Sequence, residues 1–196
     1  MGQPPLPGHA LTEEVVDSRD VFDGCFLHIR RATVKLPDGS LVEREYIKHS
    51  GAVMVIPLLD NGRVLLERQW RTPMHRVMLE FPAGKLDAGE SWQDCARREL
   101  REETGYSARE WAYIGVINNA ISYSDEAIHL VFARGLSAGR QQLDEHEFLE
   151  LFEAEPSELL GWVRDGQVSD VKTVIGTFWL DKLLSGSWSV DWINLD

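Results

Sequence analysis

The chain has 196 residues, 43% hydrophobic and 27% charged, which suits one globular domain with a short appended arm. Its formal net charge of −12 argues by simple repulsion against nucleic acid polymers and anionic membranes as partners. The longest apolar run, Ala52 to Leu59, is too short to span a bilayer, the start Met1-Gly2-Gln3-Pro4-Pro5 lacks the basic and apolar regions of a secretion signal, and Cys25 and Cys95 lack metal-ligand spacing, so a cytoplasmic setting is expected.

Residues 1–20 carry prolines and charges without a period and read as an arm. Phe26 to Leu36 and Leu41 to His49 flank Pro37-Asp38-Gly39, a hairpin turn within a 21–50 segment of N-terminal strands. A second hairpin is expected from Ala52 to Leu59 and Arg63 to Trp70, around Asn61-Gly62. A short extended piece, Val77 to Phe81, leads into Pro82-Ala83-Gly84. A helix follows over Trp92 to Thr104 and stops at Gly105. Strands come next at Trp111 to Ile117, Ala127 to Ala133 and Phe148 to Glu153. Helices near Pro156 to Arg164 and Asp170 to Leu184 close the chain, with Gly166 between them. The pattern is α+β: a mixed sheet with helices outside it.

The central helix carries the chemistry. Ser91 and Asp94 resemble a capping box at its start. Trp92, Cys95 and Ala96 share the stripe that should face the core, and that stripe continues into Glu99, Glu102 and Glu103. Three carboxylates at i, i+3 and i+4 repel one another and resist burial without compensation. Arg98 reaches Asp94 or Glu102 but does not neutralise the cluster alone. A divalent cation does, and carboxylate oxygens suit Mg²⁺ or Mn²⁺. A solvated acidic face is the bland alternative.

The residues before and after that face narrow the choice. Gly84, five residues, Glu90, seven residues, then Arg98-Glu99-Leu100-Arg101-Glu102-Glu103-Thr104-Gly105-Tyr106 resembles the 23-residue Nudix box of pyrophosphohydrolases. Only Tyr106 departs, where that family prefers a bulky aliphatic residue. Gly84 and Gly105 are expected at tight chain reversals, and Arg98 and Glu90 to tie the loop to the helix. The resemblance implies an α/β/α sandwich with a mixed sheet over residues 51–196, preceded by N-terminal antiparallel strands that pair two copies into a homodimer. It implies Glu99 and Glu103, with the backbone carbonyl of Ala83, as ligands of two or three Mg²⁺ ions, and Glu102 and Arg98 in the catalytic set.

Over a wider stretch the chain is similar to ADP-ribose pyrophosphatases. That similarity implies a general base at Glu145 and another metal contact at Glu147, in the 144–147 loop. It implies phosphate binding by Arg71 with help from Arg68, and substrate contacts at Glu80 and Glu126. One departure stands out: those enzymes typically carry a proline about 16 residues after the final glycine of the box, where this chain has Ile121. The expected substrate is ADP-ribose, with a nucleoside diphosphate sugar such as GDP-mannose second, and a non-catalytic nucleotide-binding module as the alternative of another class. Gly135-Leu136-Ser137-Ala138-Gly139 matches a serine-hydrolase elbow, but Arg140-Gln141-Gln142-Leu143-Asp144 is no core helix, so a surface loop is expected there.

Overall fold

The computed structural model describes residues 9–195. Of the expected arm, residues 1–8 lie outside the described residues, while Glu14–Asp23 forms strand β1. The arm lacks a period because β1 is exposed on both faces, so no burial imposes alternation on its sequence. The other strands are β2 (His28–Lys35), β3 (Leu41–Lys48), β4 (Ala52–Pro57), β5 (Val64–Arg71), β6 (Arg76–Glu80), β7 (Ala83–Lys85), β8 (Tyr106–Asn118), β9 (Ala127–Ala138) and β10 (Leu149–Ala154). The helices are α1 (Trp92–Thr104), α2 (Pro156–Arg164) and α3 (Val171–Leu184). Among the described residues no helix is long and apolar enough to cross a membrane.

The chain divides into two compact units. Among the described residues, one comprises 9–49 with Ala120–Glu126. In it β1, β2 and β3 form an antiparallel sheet. Its β2–β3 turn closes as the Pro37-Asp38-Gly39 signal requires. Leu36 N–H donates to the Ser40 carbonyl at 2.8 Å, Asp38 accepts from Ser40 N–H at 2.9 Å, and Gly39 takes φ +88°. The 120–126 segment adds to this sheet. Ile47 N–H donates to the Tyr123 carbonyl, and Asp125 accepts from His49 N–H and Lys48 Nζ.

The second unit holds a mixed sheet in the order β7-β4-β9-β8, parallel between β4 and β9, and an antiparallel sheet in the order β10-β5-β6. All six residues of β4 are buried, as suits a central strand covered on both faces. Ala52, Met54 and Ile56 face one core with Leu66, Phe81, Phe132, Leu159 and Leu180. Val53 and Val55 face another with Cys95, Ala96, Leu100 and Trp111. Helix α1 thus covers one face of the mixed sheet, and α2 and α3 contribute to the core on the other.

Two expectations change. The Asn61-Gly62 turn forms, with Leu59 N–H on the Arg63 carbonyl and Gly62 at φ +84°, but β4 and β5 do not make a hairpin ladder. β4 already has β7 and β9 as neighbours, so after one bridge at Leu58–Val64 the chain passes into the second sheet. The 135–138 stretch, expected as a loop, continues β9. Ser137 pairs with Ser107 and Leu136 with Ala108, and no strand-to-helix elbow exists there.

Candidate active site

Helix α1 begins at Ser91, whose Oγ accepts from Asp94 N–H at 3.1 Å. It ends at Gly105, at φ +76°, where a left-handed residue closes the last turn onto the Arg101 carbonyl. Between these caps the apolar stripe runs into the carboxylates as expected. Cys95, Ala96, Glu99, Leu100 and Glu103 are buried, and Glu102 is half-buried. The strand β7 lies against this face. Glu103 Oε2 accepts from Ala83 N–H at 2.9 Å. Gly84 is not a reversal point: it pairs with Val53 inside β7 and its φ is not positive. Its missing side chain has a steric role, because a Cβ there would lie 1.9 Å from Glu99 Oε1.

Arg98 knots the loop to the helix. Its guanidinium donates to both oxygens of Glu90 at 2.9 Å, to the Lys85 carbonyl, to Glu99 at 2.6 Å and to Glu102 at 3.2 Å. These contacts hold Glu90 at about 2, far below the usual carboxylate range. Glu99 shows the opposite balance: burial pushes it up to about 7 despite Arg98. Burial and repulsion from Glu67, Glu99 and Glu147 raise Glu103 well above its ordinary value.

The second sheet supplies the rest. On β5 the alternation puts Glu67, Gln69 and Arg71 on one face. Glu67 stands directly opposite Glu80 of β6. Arg71 grips Glu80 through two parallel bonds of 2.7 and 2.9 Å, and Lys172 of α3 reaches both Glu80 and Asp170. Burial alone would raise Glu80, but these two cations hold it low. Glu67 has no such partner. It is fully buried, neither carboxylate oxygen has a hydrogen bond, and burial with Glu80 close by pushes it up to about 8. Glu147 enters from the turn before β10 and accepts from Gln69 Nε2 at 3.3 Å. Glu67, Glu80, Glu99, Glu102, Glu103 and Glu147 are thus linked by mutual repulsion, with Arg71, Arg98 and Lys172 as the cations named among them.

The NUDIX domain family matches residues 48–174, and the nucleoside diphosphate sugar hydrolase N-terminal domain matches residues 13–47. The chain belongs to the Nudix family. It is a Nudix hydrolase, and its relatives agree. An ADP-ribose pyrophosphatase of Bacillus subtilis is 36% identical across 84% of this chain and 90% of its own length. A methanol dehydrogenase activator of Bacillus methanolicus is 34% identical across 88% of this chain and 95% of its own. A solved ADP compounds hydrolase superposes with a TM-score of 0.82 at 22% identity, covering 92% of this chain and 98% of that one, which fixes the fold as the Nudix sandwich.

Nudix hydrolases work with divalent metal, and the buried carboxylates of this chain fit one. The tests are Glu67's two orphaned oxygens, the Gly84 cradle that seats Glu99, and an all-oxygen donor set in excess over its cations. As placed, no three acidic, histidine or cysteine side chains among the described residues converge to ligand distance. Instead Glu99 is turned onto Arg98, and Glu103 onto the Ala83 amide.

The remaining expected site residues are placed as follows. Arg68 points to the opposite face of β5 from Arg71, with its guanidinium 3.8 Å from the Phe152 ring centre, beside Trp70 and Val77. Strand alternation separates it from the carboxylates. Glu145 is exposed, 3.6 Å from His146 Nε2, while its neighbour Glu147 turns inward across His146, a residue at φ +72°. Glu126 belongs to the N-terminal unit, where it lies 3.6 Å from His49 Nε2. Glu67 and Lys172 were not singled out from sequence. The signal for Glu67 was a charge interrupting the buried face of the Val64–Arg71 strand.

Proposed function

We propose that this hydrolase cleaves the pyrophosphate bond of a nucleoside diphosphate linked to a second moiety, and that ADP-ribose is its substrate, giving AMP and ribose 5-phosphate. The observation that carries this is the buried carboxylate cluster with Arg71 at its edge. Relatives named ADP-ribose pyrophosphatase support the choice, the Mycobacterium tuberculosis one being 37% identical across 68% of this chain and 66% of its own. When bound, two or three Mg²⁺ ions (Mn²⁺ is a fair substitute) polarise phosphorus, acidify water and offset charge on the leaving phosphate. Glu99, Glu103, Glu147 and the Ala83 carbonyl would hold them, with Glu102 at the rim. Arg71 has a side chain 40% exposed, and Glu80 fixes its plane, so it offers a pre-aimed donor to the substrate's phosphates. Arg98 and Glu90 keep the loop docked on α1. Proton removal from water falls to the 144–147 turn, with Glu145 as base.

The chain acts as a homodimer in the cytoplasm. Val15, Val16 and Phe22 of β1 are all more than half exposed, which leaves apolar side chains that a second copy would cover. Cys25 and Cys95 are both unpaired, as a reducing compartment allows.

A second reading has its own support. A GDP-mannose pyrophosphatase of Yersinia enterocolitica is 31% identical across 68% of this chain and 74% of its own. Ile121, 83% exposed, stands where ADP-ribose pyrophosphatases typically carry proline. A panel of nucleoside diphosphate sugars with Mg²⁺ separates the two. The expected result is kcat/KM for ADP-ribose at least ~10-fold above GDP-mannose, and the reverse order overturns the assignment.

A further inference from the structure

Glu67 is a buried carboxyl group with neither oxygen hydrogen-bonded, which is costly unless it has a task. Its neighbours Leu65 and Leu66 are buried apolar residues, and an apolar side chain of similar size at 67 would avoid burying a charge. A carboxyl group kept only as a neutral core acid would still be expected to find one hydrogen-bond partner, and neither oxygen of Glu67 has one. The cations nearby are already engaged. Arg71 spends its paired donors on Glu80, and Lys172 spends its own on Glu80 and Asp170. Glu67 shares its strand face with Gln69, which binds Glu147 of the 144–147 turn, and with Arg71, and it lies close enough to Glu103 of α1 to repel it.

The geometry points to Glu67 as a further ligand of the divalent metal, supplied from β5 in addition to the carboxylates of α1. The inference rests on the metal-dependent reading above and extends it to a residue outside the Nudix box. Glu67 from the strand and Glu103 from the helix would then both serve in holding the metal. Burial of Glu67 without a partner becomes the feature that leaves its oxygens free for the metal.

The test is a Mn²⁺ titration followed by electron paramagnetic resonance, with melting curves in parallel, on the full chain and on E67Q and E103Q. The expected result is that E67Q loses one bound Mn²⁺ or weakens it at least ~10-fold. Metal-free E67Q should also melt higher than the wild type, while its Mn²⁺-induced rise in Tm shrinks. Wild-type count and affinity in E67Q, with binding lost in E103Q, overturn the role of Glu67 and leave the metal-dependent reading standing. A wild type that binds no Mn²⁺ overturns both. Should E67Q not fold, E67D and E67N compare carboxylate with amide at one length, and equal Mn²⁺ affinity in the two overturns the inference.

Discussion

Replacing Gly84 by alanine puts a methyl group where the Glu99 carboxylate now lies. The backbone accepts alanine, because Gly84 sits in β7 with a φ outside the left-handed region. The obstruction is the side chain: the new Cβ would be 1.9 Å from Glu99 Oε1, 2.0 Å from Cδ and 2.3 Å from Oε2. Restoring an ordinary contact of 3.4 Å moves the carboxylate by about 1.5 Å and pulls it off Arg98 Nη1, which it meets at 2.6 Å. Overpacking of this kind costs ~1–3 kcal/mol, and the flexible glutamate end puts G84A near the low end. Function should suffer more, since a ~1 Å misplacement of a catalytic group costs ~10²-fold. G84A is therefore expected to lose ~10²-fold in turnover and to bind Mg²⁺ more weakly, while its Tm falls by only a few degrees. Gly89 is the control. Its φ of +80° strains alanine by ~1–2 kcal/mol, yet nothing lies within 4 Å of the new methyl. G89A should lose stability and keep its turnover. Steady-state assays, metal titrations and melting curves on both variants decide it. Wild-type turnover and metal affinity in G84A, or equal loss in G89A, would refute the reasoning.

Glu103→Gln should lower turnover by at least ~10²-fold with the fold intact, because the proposed metal ligand is lost from a helix that keeps both caps; near-wild-type turnover in saturating Mg²⁺ contradicts its role. Mg²⁺ should raise Tm saturably at fixed ionic strength, and less in Glu99→Gln; an identical shift in both proteins would mean ionic screening alone. Metal-free stability should fall as pH rises from about 5 to 8. Glu67 at about 8 and Glu99 at about 7 lie above the ordinary 4.5, so the folded protein holds protons that the unfolded chain has released. Glu90, at about 2, has the opposite sign: its contribution is present above 4.5 and is lost as pH falls toward 2. Saturating Mg²⁺ should flatten the fall toward pH 8, and a metal-free Tm that climbs from pH 5 to 8 would contradict the burial argument. Light scattering at micromolar concentration should return the mass of a dimer; a monomer mass defeats the pairing of N-terminal strands.

Much of the site was legible because α1 obeys local rules. Caps at Ser91 and Gly105 and a 3.6-residue stripe place Glu99 and Glu103 with no knowledge of the sheets. The two sheets were not legible. Asn61-Gly62 marks a turn, but whether the flanking strands stay paired depends on β7 and β9 competing for β4, which is tertiary. Lys172 escaped for the same reason: it matters through Glu80 on another element, and spacing along one helix carries no trace of that. Glu67 shows in the sequence only as a charge among buried strand positions, and that no partner meets it is settled by the neighbouring elements. Gly84 was found for the wrong reason. A glycine suggests a turn, whereas here the lacking Cβ makes room for a carboxylate fifteen positions along the chain.

The central claim is that the buried carboxylates work through divalent metal on a pyrophosphate. Its most direct test is chromatographic product analysis of ADP-ribose incubated with the wild-type protein in Mg²⁺, and again with excess EDTA. The account predicts AMP and ribose 5-phosphate in equal amounts with Mg²⁺ and none with EDTA. Turnover that persists in EDTA would contradict it, as would a protein that binds ADP-ribose in Mg²⁺ and leaves it intact.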